Sequence, residues 1–299
     1  MPTATRGFVI ELMEKGPDKR SQINRRLRRQ PLALGGGICI ALIFLAALGA
    51  GLLSPYDAGK TNIALKLQAP SGKHWLGTDQ LGRDVFSRML FGSRISLTVG
   101  FIAVAISILI GILVGAGAGY YGGRVDAWLM RFVDVMLCFP SFFLMLTVIA
   151  LLGPSIWNVM IIIGLTSWMG TARFVRAELL TLRQRDFVLA ARALGARDGR
   201  IIGVHLLPNA LAPVFVTATL DVATAILVEA GLSFLGFGVQ PPAPSWGNIL
   251  TEGRTYIFDA WWLTLFPGLA ILFTVLSFNL LGEGLRDALD PRLREGKIV

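Results

Sequence analysis

The feature that most constrains this chain is a set of long runs without a single charged residue. Ile95 to Gly123 is one, and Val135 to Thr171 is another. About 20 apolar residues cover the roughly 30 Å of hydrocarbon in a bilayer, so the first run spans once. The second is too long for one crossing and is broken by Gly153-Pro154-Ser155. Reading all such runs predicts six spans: Leu32–Leu53, Ile95–Gly123, 127–152, 156–174, Pro208–Ala230 and Trp262–Gly282. Composition agrees. Only 16% of the 299 residues are charged, 54% are hydrophobic, and mean hydropathy is +0.64. Too few charges remain to cover a soluble domain of this length, which excludes a soluble enzyme and a disordered chain. Cys39 and Cys138 both lie in apolar runs and indicate no disulfide framework.

The net charge of +9 could suggest nucleic acid, but its distribution points to topology instead. With the N-terminus inside, the cytoplasmic segments carry 21 Lys and Arg and the outer segments seven, so both termini are expected in the cytoplasm. The Arg25-Arg26-Leu27-Arg28-Arg29 cluster is suited to anionic headgroups. Trp75, Trp157, Trp261 and Trp262 outside, with Tyr120, Tyr121 and Trp128 inside, fall where aromatic belts lie. The chain thus divides into a basic tail (1–31), a first span (32–53), an extracytoplasmic segment (54–94), a five-span core (95–285) and a tail (286–299).

Gly111, Gly115, Gly119 and Gly123 recur every fourth residue, a smooth stripe on which a neighbouring helix can pack closely. The G-x-G-x-x-G match within 117–122 lacks a preceding strand and reads as the same packing surface. Ala58-Gly59-Lys60-Thr61 resembles the end of a phosphate-binding loop, but the first glycine of that loop would fall on Ser54. No nucleotide site is expected on this chain.

Arg173 to His205 is the sizeable cytoplasmic segment between spans. Its alternation of charged and apolar residues predicts a short helix, a break at Gly195-Ala196, and a second short helix feeding Leu207-Pro208, with Pro208 in the first turn of the fifth span. Leu189, Ala193 and Leu194 share a face and Arg192 points away. Small Ala190 and Ala191 and seven basic residues suit a surface that another protein covers. On the outer side, Thr78 is a candidate N-cap for an interfacial helix whose apolar face is Leu81, Val85, Phe86, Met89 and Leu90, with Arg83, Asp84, Ser87 and Arg88 on the opposite, wet face. Asp79, Arg83 and Asp84 on it, with Gln240 and Trp246 in the second outer segment, are candidates for an outer gate or a protein contact. Three acids fall within spans, where each must face protein or water. Asp134 is one turn from Arg131, Asp221 is mid-span and the best pathway candidate, and Glu229 is near the outer interface. Pro140 and Pro267 are candidate kinks.

Several stretches resemble known families. Ala190-Ala191, Gly195 and His205-Leu206-Leu207-Pro208-Asn209 resemble the EAA loop of ABC importer permeases, with Leu189 where that family has glutamate. Three further stretches are similar to dipeptide, oligopeptide and nickel permeases of the second-permease type: Leu76-Gly77-Thr78-Asp79-Gln80-Leu81-Gly82-Arg83-Asp84, residues 232–247, and residues 278–291. The resemblance runs from about residue 30 to about 294. It implies an all-α integral membrane fold of six helices with the type I importer architecture. The coupling loop would comprise Leu189, Ala190, Ala191, Arg192, Gly195, Ala196, His205, Leu207 and Pro208. It also implies a second homologous permease, two ATP-binding subunits carrying ATP and Mg, and an extracytoplasmic substrate-binding protein. This chain would be a permease in a bacterial cytoplasmic membrane and not an enzyme. It would hold no cofactor or metal and bind no nucleic acid. Peptides lead as cargo over nickel or another chelate. The rival from another class is a proton-coupled transporter relaying through Asp134, Asp221 and Glu229.

Overall fold

The computed structural model describes residues 30–289. The Arg25–Arg29 cluster and most of both tails lie outside the described residues. Eleven α-helical segments occur among them. Six are long: α1 (Pro31–Leu48), α3 (Val85–Tyr121), α4 (Gly123–Leu137), α6 (Ile156–Leu182), α9 (Leu207–Phe234) and α11 (Trp262–Leu289). The others are α2 (Ala50–Leu53), α5 (Ser141–Leu152), α7 (Asp186–Ala193), α8 (Asp198–Arg200) and α10 (Trp246–Arg254).

Five helical stretches are long and apolar enough to cross a membrane, and α4 with α5 forms a sixth candidate bent by 79° at Pro140. Helix packing decides whether that bent pair crosses. A Cβ on Gly111 would lie 2.6 Å from Thr171, one on Gly115 2.8 Å from Val175, and one on Gly119 2.9 Å from Leu179. Residue numbers rise together on both helices, so α3 and α6 run parallel. Parallel neighbours require the chain to return to the starting side between them, so α4–α5 is a crossing. The six expected spans are therefore present, with the first and last of the described residues on one side. The glycine stripe also explains the close pairing: lipid tails are as apolar as leucine, so packed contact rather than water exclusion holds such helices together.

Several boundaries differ from the sequence reading. The interfacial helix with Thr78 as its cap does not form. Residues 78–84 make a tight turn closed by a Thr78–Asp84 bridge, and Asp84 is the N-cap, its carboxylate accepting from the Ser87 N–H at 2.8 Å. Helix α3 then runs 37 residues without interruption, so the helix that carries the second span starts at Val85, ten residues before the charge-free run. The physical reason is burial: the polar face expected in water is packed against other charges. The fourth span extends to Leu182, and Pro267 sits inside one continuous helix.

The main core joins Val99 and Ala103 of α3, Met145 and Ile149 of α5, Val159 and Ile163 of α6, Val222 and Ile226 of α9, and Phe278 of α11. At the outer end of α1, Arg94 donates to the Ala47 carbonyl, which also accepts from the backbone of the helix cap, and, at 2.6 Å, to that of Leu48, tying α3 to the end of α1. Large side chains such as Leu109, Leu113 and Leu151 stay exposed on the outside of the bundle. That is expected where lipid or a neighbouring subunit completes the surroundings.

Candidate functional site

On the cytoplasmic side, α6 ends at Leu182 and the chain turns into α7. Helix α7 closes as predicted at Gly195, whose φ of +78° is in the left-handed region. The Gly195 N–H reaches the Arg192 carbonyl at 3.0 Å and the Ala196 N–H reaches that of Ala191 at 3.1 Å, the paired bonds of a Schellman stop. The second short helix is not separate. Asp198–Arg200 and a π-helical turn at Ile201–Leu206 flow directly into α9, with Leu207 and Pro208 as its first residues and the His205 carbonyl accepting from Asn209 at 2.7 Å.

Of the eight residues of α7 only Val188 is buried. It packs with Ile201 and Leu206 against Ala116, Tyr120, Val175 and Leu179. Leu189 is 50% exposed and Leu194 88% exposed, and Ala190, Arg192 and Ala193 are open as well. The result is a short helix on a narrow anchor, presenting leucine, alanine and arginine to the cytoplasm. Tyr120 at the inner end of α3 braces it. Its hydroxyl donates to Asp198 at 2.5 Å, and the Arg192 guanidinium lies 5.8 Å from its ring centre. Arg183 donates to the Gly119 and Tyr120 carbonyls at 3.3 Å each. These residues frame a cleft of about 600 Å³ that also includes Leu189 and Gln184.

The outer candidates behave otherwise than expected. Asp79, Arg83, Asp84 and Trp246 are buried, so none can meet another protein directly. Asp79 accepts from Arg83 Nε at 2.6 Å and Arg88 Nη1 at 2.5 Å. Glu252 of α10 accepts from Arg83 at 2.8 Å, Arg88 at 2.6 and 3.0 Å, and Gln80 at 2.9 Å. Asp84 also pairs with His74 at 2.9 Å. The Trp246 indole N–H donates to the Met89 carbonyl at 3.1 Å. Gln240 is exposed, but its amide folds back on the Gly236 and Gly238 carbonyls. Glu252 is missed by the sequence reading. The available signal is charge accounting, since residues 54–94 carry six Lys and Arg against three Asp, so arginines buried there need an acid from elsewhere.

The intramembrane acids separate into three environments. Asp134 pairs with Arg173 of α6 at 2.5 Å rather than with Arg131, and Asp126 makes a second link from α4 to α6 through Arg176 at 2.5 and 2.6 Å. Glu229 lies near the outer end of α9 as expected and is fully buried in protein, accepting from Ser233 at 2.8 Å and Ser245 at 2.9 Å. Ser245 also caps α10. Asp221 is half-buried and has no hydrogen-bond partner among the described residues. Hydrogen bonds among the described residues do not join the three acids into a relay, and the proton-coupled reading is not favoured.

The fold is a helical bundle crossing the membrane six times, with one short cytoplasmic helix exposed over most of its surface. Residues 107–295 match the family described as binding-protein-dependent transport system inner membrane component. Residues 21–70 match the N-terminal transmembrane domain of oligopeptide transport permease C. The chain belongs to this family of inner-membrane permeases. It is 46% identical over 270 residues to a dipeptide transport system permease protein of Alkalihalophilus pseudofirmus, covering 90% of this chain and 89% of that protein. A probable D,D-dipeptide transport system permease of Escherichia coli is 41% identical, covering 92% and 94%. A di/tripeptide transport system permease of Pseudomonas aeruginosa is 45% identical, covering 88% of each. Among solved structures, an inward-facing conformation of the MetNI methionine ABC transporter aligns with a TM-score of 0.51 at 20% identity, over 69% of this chain and 98% of that one. That likeness supports the fold.

Proposed function

We propose that this chain is one of two homologous permeases of an ATP-driven importer whose cargo is di- or oligopeptides. The observation that carries the reading is α7, a cytoplasmic helix held by a single buried side chain and open elsewhere. One ATP-binding subunit would seat on this helix and a second on the partner permease, and the two would carry ATP and Mg. An extracytoplasmic binding protein would deliver cargo from the other side. The relatives named for dipeptides and di/tripeptides support the cargo class. Leu189, in place of the glutamate of related loops, makes the contact one of shape, with Arg192 and its neighbours supplying charge. Alternation of access requires the partner to grip the loop differently in its two nucleotide states, because equal affinity would shift nothing. Asp221, carrying no partner, is the candidate for lining the pathway.

The test is reconstitution with the neighbouring subunits in vesicles. A cross-linker at Ala191→Cys is expected to capture an ATP-binding subunit, and uptake of a labelled dipeptide is expected to require ATP and the binding protein. Uptake by this chain alone, driven by a proton gradient, would refute the reading. Uptake of a nickel chelate in preference to peptide would refute the cargo.

A further inference from the structure

We propose that α3 is a strut that makes the cytoplasmic coupling segment and the extracytoplasmic cap one rigid body, with Tyr120–Asp198 and the Arg88 network as its two joints. The inference rests on the importer reading above, and it adds how a movement at α7 reaches the opposite face.

Helix α3 is a single 37-residue helix, about 55 Å long at roughly 1.5 Å per residue. Its inner joint is the Tyr120 hydroxyl on Asp198 at 2.5 Å, with Arg192 against the ring and Val188, Ile201 and Leu206 packed beneath. Its outer joint is Arg88, which is buried and shared between Asp79 of the outer turn and Glu252 of α10 at 2.5 and 2.6 Å. The outer joint gathers residues 79–83, the first turn of α3 that follows them, and α10, which lies more than 160 residues further along the chain. Trp246 adds two further ties from α10 to α3, at Met89 and at Ser96.

Helices α6 and α9 both continue covalently into the coupling segment. Helix α9 reaches the cap, where Glu229 accepts from Ser245, so α3 is the second connection that fixes the two ends, whereas α6 does not reach the cap. Gly164 of α6 lies against Ala103 and Ile106 of α3. Since the two helices are parallel, Ile156, where α6 starts, lies level with about residue 97. The first turns of α3 therefore project beyond α6 to reach α10 and the outer turn. Four charges are also a costly way to obtain rigidity alone, because well-packed apolar side chains give similar stability. What the network adds is directional: fixed donors and acceptors hold three segments in one relative orientation.

The experiment uses the complete complex, with ATPase, partner-permease and binding-protein subunits, in lipid bilayers. Cys39 and Cys138 are replaced by serine, and spin labels are placed at Gly199→Cys, where a Cβ meets nothing within 4 Å, and at Phe258→Cys, which is 98% exposed. The label-to-label distance is expected to be the same in the nucleotide-free and ATP-trapped states. Tyr120→Phe and Glu252→Gln are each expected to broaden it and to lower peptide imported per ATP hydrolysed by about tenfold, a common size for coupling between sites. Asp198→Asn keeps an acceptor for the tyrosine and should preserve both readouts. A distance that changes between the two states in the complex with intact joints would overturn the strut, whether or not the joint variants fold. So would unchanged import per ATP in Tyr120→Phe and Glu252→Gln. If the intact complex imports nothing, the importer reading fails instead, and the label distance still judges the strut.

Discussion

Replacing Gly195 probes the coupling segment through its backbone alone. At φ +78° a residue with a Cβ carries roughly 1–2 kcal/mol of left-handed strain. A Cβ there meets no atom within 4 Å, so no steric cost is added. The alternative to bearing the strain is to give up the two stop bonds, Gly195 to Arg192 and Ala196 to Ala191. Each is worth about 1 kcal/mol, which sets a similar ceiling. The local opening free energy of α7 should therefore fall by about 1–2 kcal/mol, which is roughly 5–30-fold in the open population. Hydrogen exchange read by mass spectrometry on peptides covering 186–196 measures this directly. Gly195→Ala and Gly195→Leu should accelerate exchange equally, and Gly195→Asn less, because asparagine tolerates the left-handed region better. In the reconstituted complex, Gly195→Leu should leave the subunits assembled while weakening transport. Unchanged exchange in the alanine variant, or a leucine variant far worse than alanine in the isolated chain, would refute the backbone argument.

Other substitutions separate neighbouring roles. Within the G-x-G-x-x-G stretch, Gly119→Val should lower the thermal midpoint in detergent, since its Cβ falls 2.9 Å from the Arg176 carbonyl, whereas Gly117→Ala meets only Leu129 at 3.5 Å and should be nearly neutral. Glu229→Leu strands the Ser233 and Ser245 hydroxyls in a dry site and should cost about 1–3 kcal/mol per orphaned donor, while Glu229→Gln, which keeps an acceptor, should lose much less of the thermal midpoint. Asp134→Asn breaks a pair that is half exposed on both sides and should shift stability by less than about 1 kcal/mol. Glu252→Gln, which leaves two buried arginines sharing Asp79, should destabilise several times more in the same assay. Asp221→Asn should leave stability unchanged and reduce peptide uptake, measured in vesicles, if this carboxylate lines the pathway.

The membrane fold was legible because hydrocarbon imposes a simple rule: each span must be apolar over a fixed length with all backbone bonds made internally. Span number and sidedness followed from the charge-free runs and the Lys/Arg bias. The glycine stripe at Gly111, Gly115 and Gly119 and the Gly195 stop were equally readable, since each depends on local geometry at one residue type. Gly123, assigned to the same stripe, instead opens α4, where a Cβ would meet nothing within 4 Å. The loop proposed for coupling could be picked out from its motif, though the residues that anchor it, Val188, Ile201 and Leu206, could not.

What the linear order of residues could not supply was partnership across distance. Arg83 and Arg88 read as the wet face of a surface helix, because an amphipathic pattern looks the same whether water or buried acids satisfy its charges. Only the fold brings Glu252 to within 3 Å of them, from more than 160 positions away in sequence. The same applies to Asp134, whose nearest cation along the helix is Arg131 and whose actual partner is Arg173 on another helix. Hydropathy is a property of segments and survives in sequence. The pairing of charges is a property of space, and the packing of α3 against its neighbours decided it.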